Sequence, residues 1–137
     1  MIDVIILAGG KGSRLAGIWD GPKGLVPVGS VPLLWRLLDL CLKLQARTVM
    51  LALGHGGDEV EASFLKWWAT ADSSHTHFGA QLWQTKDTHA AVRDCSPAGT
   101  VLVLNGDTLP LYSLRELLAA HELLEHPWAT AATARVN

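Results

Sequence analysis

Val4-Ile5-Ile6-Leu7-Ala8-Gly9-Gly10-Lys11-Gly12-Ser13-Arg14-Leu15 is the stretch that decides the fold. An apolar, partly β-branched run stops abruptly at three glycines among four residues. That pattern reads as a buried strand delivering the chain into a tight loop. Successive N–H groups in such a loop point at one place, and Lys11 and Arg14 add positive charge there. An arginine fork can grip phosphate oxygens in two places. In an open α/β sheet, ligands bind beyond the carboxyl ends of the strands, where this loop sits. The combination suits a triphosphate.

Other readings of a glycine loop are tested by detail. A P-loop needs Gly-x4-Gly-Lys followed by Ser or Thr, and here Lys11 is followed by Gly12. A dinucleotide fold needs G-x-G-x-x-G and an acidic residue ending the second strand, and Val49–Gly54 offers none. A glycine turn that only joins strand to helix would use the same residues, so the loop alone leaves that alternative open.

The rest of the chain continues the pattern outward. Further strand-length apolar runs occur at Thr48–Leu53, Ala80–Trp83, Val101–Leu104 and Trp128–Val136, several of them apolar on consecutive positions as in strands covered on both faces. Between them lie amphipathic helical patterns. Pro32–Leu44 follows Ser30 as N-cap; Asp58–Thr70 opens with the capping-box spacing Asp58 and Glu61; Ser113–Leu124 repeats it with Ser113 and Glu116 and is stopped by His126–Pro127. Alternation of strand and helix predicts an α/β fold on a mostly parallel sheet built of right-handed βαβ units, one domain over residues 1–137. Ala71–Gly79 reads as a polar connecting loop. The last strand has no closing helix after it, which predicts a shortened domain or a fragment.

Composition bounds the function. A chain of 137 residues with 49% apolar content can bury a real core. A net charge of -2 argues against nucleic acid or a membrane surface as partner, so an anionic ligand must be held by a local cluster. No apolar stretch approaches the roughly 20 residues of a membrane span, and Asp3 before a short apolar run does not read as a signal peptide. Cys41 and Cys95 lack metal-ligand spacing and read as reduced thiols of a cytoplasmic protein. The six tryptophans indicate packing rather than a particular chemistry.

After the loop comes Pro22-Lys23-Gly24-Leu25-Val26-Pro27-Val28-Gly29, then Pro32 and Leu33. Position by position, Leu7 to Leu33 resembles the signature L-A-G-G-x-G-x-R-L, P-K-x-L-x-P-V and P-x-L of the sugar-1-phosphate nucleotidyltransferases, nearest the heptose-1-phosphate and mannose-1-phosphate guanylyltransferase branch. The resemblance implies a three-layer α/β/α Rossmann-like domain and favours the phosphate reading of the glycine loop. It implies that Leu7, Ala8, Gly9, Gly10, Lys11, Gly12, Ser13 and Arg14 hold a nucleoside triphosphate, with Arg14 also acting in catalysis. Lys23 would stabilise charge near the reacting phosphate, a role suited to phosphoryl transfer, which is catalysed mainly by positioning and by cations. A lysine alone would read as a solvated surface residue.

Val101-Leu102-Val103-Leu104-Asn105-Gly106-Asp107-Thr108 resembles the second signature of that family. There a buried strand delivers an Asp that coordinates Mg²⁺ bridging the nucleotide phosphates, a role that falls on Asp107, with Asn105 and Gly106 beside the nucleotide. Mg²⁺ is commonly held by one or two carboxylates plus phosphate oxygens. A strand-end Asp can also simply form a turn. Gln84-Thr85-Lys86-Asp87-Thr88-His89-Ala90-Ala91-Val92 resembles the base- and ribose-contacting stretch, implying contacts from Gln84 and Thr88; Asp87, His89 and Ala90 depart from its glycines. His55, in Leu53-Gly54-His55-Gly56-Gly57, falls where the family has a residue near the acceptor; His75, His77, His121 and His126 read as surface residues.

The resemblance covers only the N-terminal part of the family's catalytic domain. Members continue through strands that bind the sugar phosphate and supply a second metal-binding Asp, whereas no Asp follows Asp107 here. Glu116, Glu122 and Glu125 belong to a helical pattern. The expected activity is NTP plus sugar 1-phosphate giving NDP-sugar and pyrophosphate, with Mg²⁺ as cofactor, in the cytoplasm. A homodimer or partner chain could complete the acceptor wall. Two alternatives stand beside it: a nucleotide-binding or regulatory module without turnover, and a cytidylyl- or molybdopterin-type nucleotidyltransferase.

Overall fold

A computed structural model describes residues 2–10, 12, 15–70, 79–84, 90, 92–93, 99–124 and 129–131. Four strands form one wholly parallel sheet: β1 (Asp3–Leu7), β4 (Thr48–Leu53), β5 (Gly79–Gln84) and β6 (Val101–Asn105), in the order β5-β4-β1-β6. A small antiparallel hairpin, β2 (Pro27–Val28) and β3 (Val31–Pro32), precedes helix α1 (Leu33–Lys43). Helix α2 (Gly57–Ala69) follows β4, and α3 (Leu114–Leu123) follows β6. The strand run expected at Trp128–Val136 and the stop at His126–Pro127 lie outside the described residues, apart from residues 129–131, which have no strand geometry. Among the described residues, no helix is long and apolar enough to cross a membrane.

The apolar runs without alternation form the middle of the sheet. In β1 and β4, Val4, Ile5, Ile6 and Val49–Leu53 are no more than 3% exposed, as parallel strands covered on both faces require. β6 departs from that expectation. Leu102 and Leu104 are buried, but Val103 between them is 42% exposed. β6 stands at the end of the described sheet, so its second face lacks the cover that β1 and β4 have.

Val4 and Ile6 point to one face and Ile5 to the other, by the two-residue period of a strand. The first face joins Val49, Leu51 and Leu53, Leu102 and Leu104 to the apolar stripes of the helices. In α1 that stripe is Leu33, Leu34, Leu37, Leu38 and Cys41, a helical spacing that buries one side. In α2 it is Val60, Phe64 and Trp67. Burial pushes the Cys41 thiol up to about 12. β1 to β4 and β4 to β5 step the same way across the sheet, so right-handed crossovers put α1 and α2 on the same face. On the other face Ile5 and Ala52 form a smaller buried cluster, with Leu7 and Val101 packed against it. The architecture is the Rossmann-like α/β fold expected from the sequence.

The two packed helices are also tied by polar contacts. The Trp35 indole N–H donates to the Ser63 carbonyl (3.1 Å) and hydroxyl (3.0 Å), and that of Trp67 donates to Asp39 Oδ1 (3.0 Å). Helix starts differ from two expectations. Ser30 does not cap α1: it sits in the hairpin turn, and the Leu33 N–H is met instead by the Val26 carbonyl at 3.0 Å. Asp58 does not cap α2: Gly56 takes that place in the left-handed region, and Asp58 and Glu59 lie in the first turn, where their charge suits the helix dipole. Ser113 caps α3 as expected, its Oγ accepting from the Glu116 N–H at 3.3 Å.

Candidate functional site

The strand order reverses between β1 and β6, and in an open α/β sheet the ligand crevice lies at that switch point, outside the carboxyl ends. Register aligns the two ends: Leu7 pairs with Asn105 on one side and Ala52 on the other. The glycine loop and the Asn105-Gly106-Asp107 turn therefore leave neighbouring strands at the same height.

The two turns touch. The Gly106 N–H donates to the Leu7 carbonyl at 3.0 Å, and a Cβ on Gly106 would sit 2.6 Å from that oxygen. Only glycine fits there. Gly9 is packed the same way against the end of β4, where a Cβ on Gly54 would lie 2.8 Å from the Gly9 Cα. Ala8, buried, donates its N–H to the Ala52 carbonyl at 2.9 Å. Gly10 is different. It is exposed, a Cβ there would meet nothing within 4 Å, and no described residue accepts from the N–H of Gly9 or Gly10. The chain is thus anchored at Ala8 and Gly9 and open at Gly10.

Lys23 reaches this place from the excursion between β1 and α1. It opens a single 3₁₀ turn, Lys23–Leu25, after the buried Pro22. Two contacts fix Pro22: its carbonyl accepts from the Trp19 indole at 3.0 Å, and its ring lies over Gly56, where a Cβ would be 2.6 Å from the Pro22 Cγ. The following hairpin is held by Arg36 of α1, whose Nε and Nη2 both donate to the Val28 carbonyl at 2.9 and 2.7 Å. The Lys23 stem passes beside Gly12, which has φ +66°; a Cβ there would lie 3.2 Å from the Lys23 Cγ. Its ammonium then ends 3.2 Å from Asp107 Oδ2, between residues 84 apart in sequence. The other carboxylate oxygen, Oδ1, accepts from the Thr108 hydroxyl at 3.1 Å. Both charged side chains are partly open to solvent, 28% for Lys23 and 43% for Asp107.

The structure thus brings together Leu7, Ala8, Gly9, Gly10, Gly12, Lys23, Asn105, Gly106 and Asp107. Lys11, Ser13, Arg14 and Thr88 lie outside the described residues, as does His89. Gln84 ends β5, which pairs with β4 and not with β1, so its backbone is two strands from the glycine loop. His55 is exposed on the turn that follows β4. Among the described residues, no group of three or more His, Cys, Asp or Glu is placed to hold a metal ion. Sequence reasoning assigned no part to Gly54, Trp19 or Thr108. For Gly54 a signal existed, a glycine directly after the second main strand; the Trp19 contact has none in the sequence. A groove of about 1010 Å³ also runs along β6, walled by Leu102, Leu104, Leu109, Leu117 and His121; neither Lys23 nor any described residue of the glycine loop lines it.

Fold and site together define an open α/β sheet of the Rossmann-like type, with its crevice at the β1–β6 switch point and a glycine loop, an ammonium and a carboxylate around it. A family model described as the MobA-like NTP transferase domain matches residues 4–136, and the chain belongs to that family. Among curated relatives, it is 35% identical over 130 residues to the bifunctional protein GlmU of Xanthomonas euvesicatoria pv. vesicatoria, covering 92% of this chain and 26% of that protein. It is 38% identical over 125 residues to GlmU of Acidovorax ebreus, covering 88% and 25%. Among solved structures, HddC from Yersinia pseudotuberculosis complexed with GMP-PN superposes with a TM-score of 0.69 at 26% identity, covering 88% of this chain and 54% of that one. The chain spans about a quarter of the length of those GlmU proteins and about half of HddC.

Proposed function

We propose that this chain carries the nucleotide-activating part of a sugar-phosphate nucleotidyltransferase, acting on an NTP and a sugar 1-phosphate to give NDP-sugar and pyrophosphate in the cytoplasm. The observation that carries the proposal is the Lys23–Asp107 pair, assembled by two distant motifs beside a glycine loop at the switch point. Membership of an NTP transferase family and likeness to GlmU and HddC support the reaction class.

In this reading the open N–H groups of Gly9 and Gly10, with Lys11, Gly12, Ser13 and Arg14, cradle the triphosphate. Gln84 and Thr88 serve base and ribose, and Asn105 and Gly106 border the nucleotide. Lys23 turns its ammonium to the α-phosphate and to the incoming phosphate. A phosphate oxygen of the sugar 1-phosphate attacks the α-phosphorus, the bond to the β-phosphate oxygen breaks, and pyrophosphate leaves. No protein nucleophile is needed. The protein's contribution is position and charge.

Asp107 is the residue suited to Mg²⁺. It offers one partly exposed carboxylate at a strand end, with no multi-ligand cage among the described residues. That donor set fits a cation that arrives with phosphate oxygens, the usual manner for Mg²⁺. Bound there, Mg²⁺ would neutralise charge on the phosphates.

The test is Mg²⁺-dependent pyrophosphate release from ATP, CTP, GTP, UTP and dTTP, each against a panel of sugar 1-phosphates. Release that needs both substrates, and that falls on the order of a hundredfold or more in Lys23→Ala and in Asp107→Asn, is expected. Mg-nucleotide binding without release would favour a nucleotide-binding module. Neither release nor binding would refute the assignment of the glycine loop.

A further inference from the structure

Pro22 leaves a gap that a side chain has to fill. Having no N–H, it cannot donate a backbone bond that ties the Lys23 turn to the chain before it. The bonds inside the turn, Leu25 to the Pro22 carbonyl at 2.9 Å and Val26 to the Lys23 carbonyl at 3.1 Å, set its shape. Leu33 and Arg36 hold the chain beyond it, at the Val26 and Val28 carbonyls. On the side of the glycine loop, among the described residues, one hydrogen bond joins residues 15–21 to the turn. It is the bond from the Trp19 indole N–H to the Pro22 carbonyl, at 3.0 Å.

We propose that Trp19 is a positioning residue that ties the Lys23 turn to the glycine loop and so fixes where the ammonium stands; this rests on the nucleotide reading above. The path can be followed bond by bond. The Leu15 N–H donates to the Gly12 carbonyl, and the Ile18 and Trp19 N–H groups donate to the Leu15 carbonyl, each at 2.9 Å. Trp19 is thereby hung from Gly12, and its indole carries that placement on to Pro22. The circuit closes where the Lys23 stem returns to Gly12, its Cγ 3.2 Å from the place of a Cβ. The ring is half-buried and packs on Gly21, where a Cβ would stand 3.1 Å from Nε1. An indole is a donor only and turns about two torsions, so it spans this gap with little freedom to lose. A hydrogen bond of this kind is worth about fivefold in an equilibrium, and a reacting group displaced by about 1 Å on the order of a hundredfold in rate. The effect of Trp19 falls between these.

The test removes the N–H and keeps the ring. Benzothienylalanine at position 19, which has the outline of tryptophan with sulfur in place of N–H, is compared with Trp19→Phe, and circular dichroism melts confirm that each protein is folded. With ATP, CTP, GTP, UTP and dTTP against the sugar 1-phosphates, kcat for pyrophosphate release is expected to fall about tenfold in both, while calorimetry finds Mg-nucleotide affinity within about twofold of the parent. In Lys23→Ala the same replacements are expected to cost nothing further, because the group they position is gone. An unchanged kcat, an equal cost with and without Lys23, or a loss carried by nucleotide affinity would each overturn the proposal. A second readout needs no turnover. In protein with ¹³C-methylated lysines, the Lys23 signal, identified by its loss in Lys23→Arg, is expected to move towards that of a free methylated lysine when the N–H is removed. An unmoved signal overturns the proposal even where the protein binds nucleotide without releasing pyrophosphate. An active parent indifferent to the change at Trp19 refutes the proposal alone; a parent that binds no nucleotide refutes the functional reading and the role of Trp19 together.

Discussion

Gly106→Ala is the substitution whose cost follows most directly from the structure. The added Cβ would stand 2.6 Å from the Leu7 carbonyl oxygen, 3.1 Å from its carbon and 3.2 Å from the Ala8 Cα. These are all backbone atoms, so no side-chain rotation relieves the clash. Carbon and carbonyl oxygen come no closer than about 3.3 Å in ordinary contacts, so the two strand ends must part by roughly 0.7 Å. Gly106 is buried and Leu7 belongs to the central strand of the sheet, where packing leaves little room to adjust. Overpacking of this kind costs about 1–3 kcal/mol, and weakening the 3.0 Å Gly106–Leu7 hydrogen bond adds about 1 kcal/mol more. The sum, roughly 2–4 kcal/mol, corresponds at this size to a fall in melting temperature of about 6–15 °C. Calorimetric melting measures it. The same displacement moves Asp107 relative to the glycine loop, so pyrophosphate release is expected to drop on the order of a hundredfold. A melt within about 2 °C of the parent would refute the packing of β1 against β6 described above.

Gly10→Ala is the counterpart: a Cβ there meets nothing within 4 Å, so stability should stay within about 0.5 kcal/mol of the parent while Mg-nucleotide affinity falls, as urea unfolding and calorimetry would show. Ser113→Ala removes the cap of α3 and should cost about 1 kcal/mol in urea unfolding, with nucleotide binding unaltered; an unchanged midpoint would speak against the cap. Leu37→Ala, at a fully buried position of α1, should cost about 2–5 kcal/mol by the same measurement. Cys41 is fully buried with its thiol pushed up to about 12, so at pH 8 it should resist alkylation in the folded protein and react once urea unfolds the chain. Peptide mass mapping, which separates Cys41 from Cys95, decides this, and prompt native labelling of Cys41 would contradict its burial.

What was legible in the sequence is what local chemistry dictates. Val4–Leu7, Thr48–Leu53 and Val101–Leu104 announce themselves by unbroken apolar runs, and the structure places them side by side in parallel. The glycine loop and Asp107 could be put at one end of the sheet because parallel strands present their carboxyl ends together. The helix starts were less legible. Ser30 and Asp58 have the right side chains to cap, but a hairpin carbonyl at Val26 and the left-handed Gly56 supply the N-termini of α1 and α2, and these depend on tertiary placement. Ser113 succeeded because its own hydroxyl meets the Glu116 N–H, a contact within one turn of the chain. The Lys23–Asp107 contact was not visible either, since no spacing rule relates residues 84 apart.

What sets the distance between Lys23 and Asp107 is decided by comparing magnitudes. Their mutual attraction, partly solvated, is worth up to about 1 kcal/mol and cannot by itself position a lysine. The backbone around Lys23 is held by much more. Leu25 donates to the Pro22 carbonyl (2.9 Å), Val26 to Lys23 (3.1 Å) and Leu33 to Val26 (3.0 Å), and Arg36 and Trp19 add three side-chain bonds to the same segment. At about 1 kcal/mol each these outweigh the ion pair several times over. Pro22 is in turn seated on the N-terminus of α2, and α2 is bound to α1 through the Trp35–Ser63 and Trp67–Asp39 hydrogen bonds. The ammonium is therefore delivered by the helical layer, and the carboxylate and the glycine loop by the strand ends. Because the ion pair contributes so little to holding these parts together, it is free to break when a ligand enters without loosening either one.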